Sequence, residues 1–278
     1  MIAACVAVIA GCVQIPSPVE RKKLADDLAA QHAWVDQVIE SEGYFLQTYR
    51  RKLSFASGHL VIYLEGDGLA WYSSTNPSSD PTPLDPVALK MAISHPSKQA
   101  AAYVARPCQY VWAQRCHMSD WTGGRFSKSI IKSTDQVIDA LKRSSGATRL
   151  VLVGYSGGAA VAALVASQRQ DVDALVTVAG NLDTNAWVRH HRISPLVGSM
   201  NPLDQASKLK EIIQIHFLGA NDEVIPSTLV KNFTRSPVNS RLIHVSTQTG
   251  FDHGCCWAQN WPLLWREVED HLVKMNLK

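Results

Sequence analysis

The chain has 278 residues, 46% of them hydrophobic and 18% charged, enough apolar material for a full core and too ordinary a balance for a disordered polypeptide. Its formal net charge is +3, and its basic residues are scattered apart from the short run Arg21–Lys23, which gives no footprint for nucleic acid. No Pro/Gly/Ser-rich linker and no internal repeat interrupt it, so residues 12–278 read as one domain.

The first twelve residues, MIAACVAVIAGC, are apolar. A helix that crosses a bilayer needs about 20 such residues, so this run fits the apolar region of a secretory signal instead. Its end, Ile9-Ala10-Gly11-Cys12, resembles the lipobox of bacterial lipoproteins. The resemblance implies that Met1–Gly11 is removed, that Cys12 is acylated, and that the protein is lipid-anchored in the cell envelope. Val13 in place of Asp implies the outer membrane, facing the periplasm or the cell surface. A plain secretory signal and a buried first strand are the other readings. With Cys5 removed and Cys12 acylated, Cys108, Cys116, Cys255 and Cys256 remain, an even number suited to disulfides in an exported protein. The short loop Cys108–Cys116 is the first choice of three connectivities. It leaves Cys255 and Cys256 as a vicinal bridge or two free thiols, and the crossed pairings stay open. No CxxC zinc pattern occurs, and no metal ligand set is expected.

Residues 24–43 read as one helix ending near Gly43. FLQTYRRKL and HLVIYLEGDG follow as strands. Leu69–Pro86, rich in Pro and Ser, reads as a long loop, and loops of that length in compact domains usually serve function. AAAYVARPCQY reads as a strand and turn. SKSIIKSTDQVIDALKRSSG reads as a helix stopped at Gly146. TRLVLVGYS, GGAAVAALVASQ and VDALVTVAG then alternate strand, helix, strand. An irregular insert spans about residues 181–204, LKEIIQIHFLG and SRLIHVST are two further strands, and WPLLWREVEDHLVKM closes the chain as an amphipathic helix. Strands alternating with helices predict a doubly wound, mostly parallel sheet covered on both faces, with its site at the carboxyl ends of the strands.

Three strand ends carry chemistry. Gly154-Tyr155-Ser156-Gly157-Gly158 fits G-x-S-x-G between a strand and a helix. A serine on so sharp a turn needs small residues two positions away on either side, and Gly154 and Gly158 supply them. FLGANDEVIP follows the penultimate strand and offers Asp222. STQTGFDHGCCW follows the last and offers His253, the one histidine of ten in a loop after the final strand. Glu223 and Asp252 are the rivals for the acid. The order Ser156, Asp222, His253, with G-x-N-D-x-x-x-P and D-H-G around the last two, resembles the α/β-hydrolase fold family from about Leu60 to the C-terminus. The resemblance implies that fold with a short cap at the insert, Ser156 as nucleophile, His253 as base and Asp222 as its orienting acid. It also implies an oxyanion hole built from the Gly157 amide and, from Glu65-Gly66-Asp67-Gly68 in the place of the family's HGGG, the Asp67 amide, with Gly68 or Leu69 as runners-up.

These pieces predict acyl transfer to water without metal or organic cofactor. The expected substrate is a small or medium carboxylic ester, with Trp71, Tyr72 and Trp187 available to an apolar acyl or aryl group. A serine peptidase or amidase on the same residues is the alternative, and a non-catalytic binding protein of the same fold is another. An Asp-dependent dehalogenase or epoxide hydrolase is disfavoured by Ser156. Trp121 and Arg125, in SDWTGGRFS, either touch substrate or brace the fold.

Overall fold

A computed structural model describes residues 14–51, 58–96, 99–234 and 240–275. The expected signal segment Met1–Gly11 and the expected lipidation site Cys12 lie outside the described residues. Helix α1 (Pro18–Gln31) starts on a Ser17 capping box with Glu20, Pro18 standing in the first turn. The chain then departs from the single long helix expected over residues 24–43. The helix ends at Gln31, Ala33 turns through a positive φ of 57°, and Trp34–Ser41 forms strand β1. Its Trp, Val and Ile residues favour a pleated surface. Glu42 and Gly43, at φ 53° and 77°, make the two-residue turn that right-handed twist prefers, and β2 (Tyr44–Arg51) returns antiparallel to β1.

Residues 48–50 of β2 also pair antiparallel with residues 102–104, and beyond that pairing the sheet is parallel. Its eight strands lie in the order β1-β2-β4-β3-β5-β6-β7-β8, with β3 (His59–Leu64), β4 (Ala100–Val104), β5 (Arg149–Tyr155), β6 (Val172–Val178), β7 (Ile213–Gly219) and β8 (Ile243–Gln248). Alternate residues of the central strands feed two cores. Leu60, Ile62, Leu64, Leu150 and Leu152 pack on one face with α3 (Lys128–Ser145) and α4 (Gly157–Ala166). Val61, Tyr63, Val151 and Val153 pack on the other with α1, α2 (Val87–Ile93) and α7 (Trp257–Lys274). The helices α2 and α6 (Ser227–Thr234) lie in stretches whose short apolar runs carried no sequence signal. Every residue of α4 is buried, which explains its alanines: a helix seated on the central strand has no solvent face to make polar.

Leu69–Pro86 holds no helix or strand beyond one bridge, Trp71 to Pro77. Trp121 braces it, its indole donating to the Ser78 carbonyl at 2.9 Å. The insert is more ordered than its sequence suggested. It contains α5 (Thr184–His191), capped by Asp183 on the Ala186 amide. Cys108 and Cys116 stand with their sulfur atoms 2.14 Å apart and their Cα atoms 5.7 Å apart. Cys255 and Cys256 lie side by side just before α7.

Candidate active site

The carboxyl end of β5 is where the chain turns hardest. Ser156 sits at φ 52°, ψ −119°, and α4 begins at the next residue. A Cβ on Gly154 would stand 2.4 Å from Ala159 Cα, and one on Gly158 would stand 2.2 Å from the Leu64 carbonyl oxygen. Both glycines therefore meet backbone, as the turn required. The serine's backbone is held by other main-chain groups. Its amide donates to Val178 O at 2.9 Å, and its carbonyl accepts from Ala159 and Asn181, each at 3.1 Å.

Two more strand ends converge on it. After β7 the loop 220–226 places the Asp222 side chain out of contact with solvent. Asp222 Oδ1 accepts from the Val224 amide at 2.9 Å and the Ile225 amide at 2.8 Å. Asp222 Oδ2 is 2.9 Å from His253 Nδ1. A carboxylate only accepts, so Nδ1 carries the proton and Nε2 presents its lone pair. Ser156 Oγ stands 2.9 Å from that Nε2. Three residues from three loops thus form one hydrogen-bonded line. Glu223 is exposed, and Asp252 Oδ1 accepts from the Gly254 and Cys255 amides instead of facing the imidazole.

The histidine loop is tied down through its backbone. The His253 carbonyl accepts from Tyr155 OH at 2.9 Å and from Trp257 Nε1 at 3.0 Å, and the rings of Tyr155 and His253 stand 5.4 Å apart. Neither Tyr155 nor Trp257 carried a signal in the sequence, because each acts on a carbonyl group that any residue at 253 would have.

Glu65-Gly66-Asp67-Gly68 lies at the end of β3, beside β5. The Gly66 amide donates to Glu65 Oε1 at 2.9 Å and the Leu69 amide to Pro81 O at 3.2 Å, which removes Leu69 from the possible oxyanion donors. Among the described residues the Asp67, Gly68 and Gly157 amides have no acceptor, and all three residues line the cleft, so Gly68 stays beside Asp67 as a candidate for the second donor. Glu65 is buried, and burial pushes its carboxyl up to about 7. Burial acts to raise Asp67 as well, but Arg125 and Arg106 beside it more than offset this and hold it below the usual carboxylate range.

The cleft encloses about 390 Å³ over Ser156. Leu69, Trp71 and Leu84 from the long loop, Trp187 from α5, and Val224 and Ile225 from the Asp222 loop line it. Tyr72 is exposed and does not line this cleft. Trp187 Nε1 and His191 Nε2 both meet the Val224 carbonyl, at 2.9 and 2.8 Å, so the insert is fastened to the loop that carries Asp222. Among the described residues no cluster of His, Cys, Asp and Glu could hold a metal ion, and no helix is long and apolar enough to cross a membrane.

The Dienelactone hydrolase family profile matches residues 112–255, just over half of the chain and a span that includes Ser156, Asp222 and His253. The chain belongs to the dienelactone hydrolase family. No curated protein matches this family member. Solved structures do. An α/β serine hydrolase homologue from Coxiella burnetii matches with a TM-score of 0.58 and 16% identity, over 84% of this chain and 94% of that one. An esterase from Pyrococcus furiosus matches with a TM-score of 0.60 and 14% identity, over 95% and 97%. A puromycin-hydrolyzing peptidase from Mycobacterium tuberculosis gives 0.61 and 12%, over 89% of this chain and 40% of that one. At these identities the likeness is one of fold, the α/β-hydrolase fold with a mostly parallel sheet. Membership of the dienelactone hydrolase family makes the chain an enzyme of the α/β-hydrolase type.

Proposed function

We propose that this hydrolase cleaves a carboxylic ester through a covalent acyl-enzyme on Ser156. The observation that carries the reading is the unbroken line Ser156 Oγ, His253 Nε2, His253 Nδ1, Asp222 Oδ2, with 2.9 Å at each hydrogen bond. A serine hydroxyl at its ordinary pKa is a weak nucleophile, and a lone pair at that distance takes its proton as it attacks the carbonyl carbon. Asp222 stabilises the imidazolium so formed. The amides of Gly157 and Asp67 receive the negative oxygen, each such donor contributing on the order of 3 kcal/mol. The imidazolium then protonates the leaving alkoxide. Water, deprotonated by the same Nε2, releases the acid.

A cleft of about 390 Å³, lined by Leu69, Trp71, Leu84 and Trp187 together with the polar Asp67, Asp85, Arg125 and Asn181, has room for a small or medium acyl group. The insert contributes one short helix, α5, and not a full lid, which favours an esterase over a lipase. The test is labelling by a fluorophosphonate probe. The wild-type protein is expected to label, and Ser156→Ala and His253→Ala are not. Labelling that survives Ser156→Ala would refute the assignment, and a folded wild type that never labels would favour a non-catalytic binding role. Relative rates on ester and amide panels then separate the esterase from a peptidase.

The lipobox-like Ile9–Cys12 supports a second part of this reading, an envelope lipoprotein anchored through Cys12. Cys12→Ser is expected to move the protein from the membrane pellet to the soluble fraction with its activity kept. A variant that stays in the pellet would remove the anchor from the account.

A further inference from the structure

The loop after β3 carries a carboxylate where developing negative charge makes one least welcome. The Asp67 side chain fills the volume that a side chain at 157 would occupy: a Cβ there would stand 2.1 Å from Asp67 Oδ1 and 2.9 Å from Oδ2. The same two oxygens accept from Arg106 Nη1 at 3.0 Å and from Arg125 Nη1 at 2.6 Å. Both arginine side chains are almost wholly buried, at 6% and 5% exposure. They are themselves fixed. Arg106 Nη2 donates to the Arg125 carbonyl and its guanidinium lies 5.2 Å from the Phe126 ring centre. Arg125 Nε donates to Thr122 O at 2.7 Å, and its guanidinium lies 5.8 Å from the Trp187 ring centre. Gln109 Nε2 holds the adjoining Gly66 carbonyl at 3.0 Å.

We propose that Asp67, Arg106 and Arg125 form a positioning device that sets the Asp67 amide in register with the Gly157 amide, which rests on the reading of Ser156 as the nucleophile. A carboxylate gripped at both oxygens cannot turn about its side-chain bonds, and its Cα and peptide plane are fixed with it. Two guanidinium groups on one carboxylate leave a net positive charge behind the donors, so the carboxylate does not repel the oxyanion. Gly157 belongs to the device, because only glycine leaves room for Asp67. This accounts for a second glycine directly after the serine, which the G-x-S-x-G pattern itself does not demand.

The test uses the full chain, a neutral p-nitrophenyl ester, and a trifluoromethyl ketone that adds to a serine as an oxyanion. Asp67→Asn and Gly157→Ala are each expected to lower kcat by about 10- to 100-fold with KM changed less than about twofold, since misaligned donors lose part of what a deleted donor loses. The inhibition constant of the ketone should rise by the same factor as kcat/KM falls, which a purely structural role would not produce. If Asp67→Asn does not fold, Gly157→Ala and Arg125→Lys carry the comparison. An unchanged kcat with a lowered Tm would reduce the cluster to a brace. A KM raised only for anionic esters, at constant kcat, would make it an anion subsite. Either result overturns the proposal. Ser156→Ala serves as the separate control: its hydrolysis and ketone binding should both vanish, and their survival would overturn the nucleophile reading and this one with it.

Discussion

Asp222→Asn is expected to lower kcat by about 10⁴-fold while KM and Tm stay close to their wild-type values. The amide is nearly isosteric with the carboxylate. Its oxygen can keep the two hydrogen bonds that Oδ1 now accepts from the Val224 and Ile225 amides. That choice turns the NH2 group toward His253. Nδ1 must then accept, the ring proton moves to Nε2, and Ser156 Oγ faces a donor instead of a lone pair. The variant keeps the fold and loses the tautomer. Steady-state kinetics on a neutral ester, with a thermal melt as the folding control, measure it. A loss of less than tenfold would mean that His253 takes its orientation from elsewhere.

Gly158→Ala is expected to destabilise the protein by on the order of 2 kcal/mol and to lower Tm by roughly 4–8 °C. Helix propensity alone points the other way, since alanine in a helix is about 1 kcal/mol better than glycine. The contacts decide the sign. The added methyl would stand 2.2 Å from the Leu64 carbonyl oxygen and 2.5 Å from that of Glu65, and both are backbone atoms that cannot swing aside. Relief requires that α4 and the end of β3 part. That movement shifts the Glu65–Leu69 loop, so kcat should fall with stability. Differential scanning calorimetry and the same ester assay test it, and an equal or higher Tm would show that the strand and helix separate at no cost.

Much of the site was legible because its chemistry needs particular residue types at particular strand ends. Ser156, Asp222 and His253 were found from the glycines, the aspartate after β7 and the histidine after β8, and the structure brings the three together. The parallel core was legible for a similar reason: doubly buried strands such as LVIYL and LVLV stand out as continuous apolar runs. The first hairpin was not. Trp34–Ser41 carries its apolar residues Trp34, Val35, Val38 and Ile39 at helical spacing, and the strand is set instead by Ala33, Glu42 and Gly43, whose positive φ values break the helix and make the turn. Helices α2 and α6, of seven and eight residues, are too short to show a period. Arg106, Tyr155 and Trp257 escaped notice because they act on Asp67 or on a main-chain carbonyl group. Partners of that kind leave no spacing rule in the chain.

The tether from Tyr155 to the His253 carbonyl changes how accurately the site must be built. Ser156 hangs from the middle of the sheet, whereas His253 follows β8, the outermost strand, whose residues are exposed or half-buried throughout. Measured along the ladder, an error at each of three strand pairings would accumulate between them. Tyr155 is covalently next to the serine and grips the histidine loop at 2.9 Å. The distance between hydroxyl and imidazole is thereby gauged by one tyrosine ring, and drift at the sheet's margin need not reach the reacting atoms.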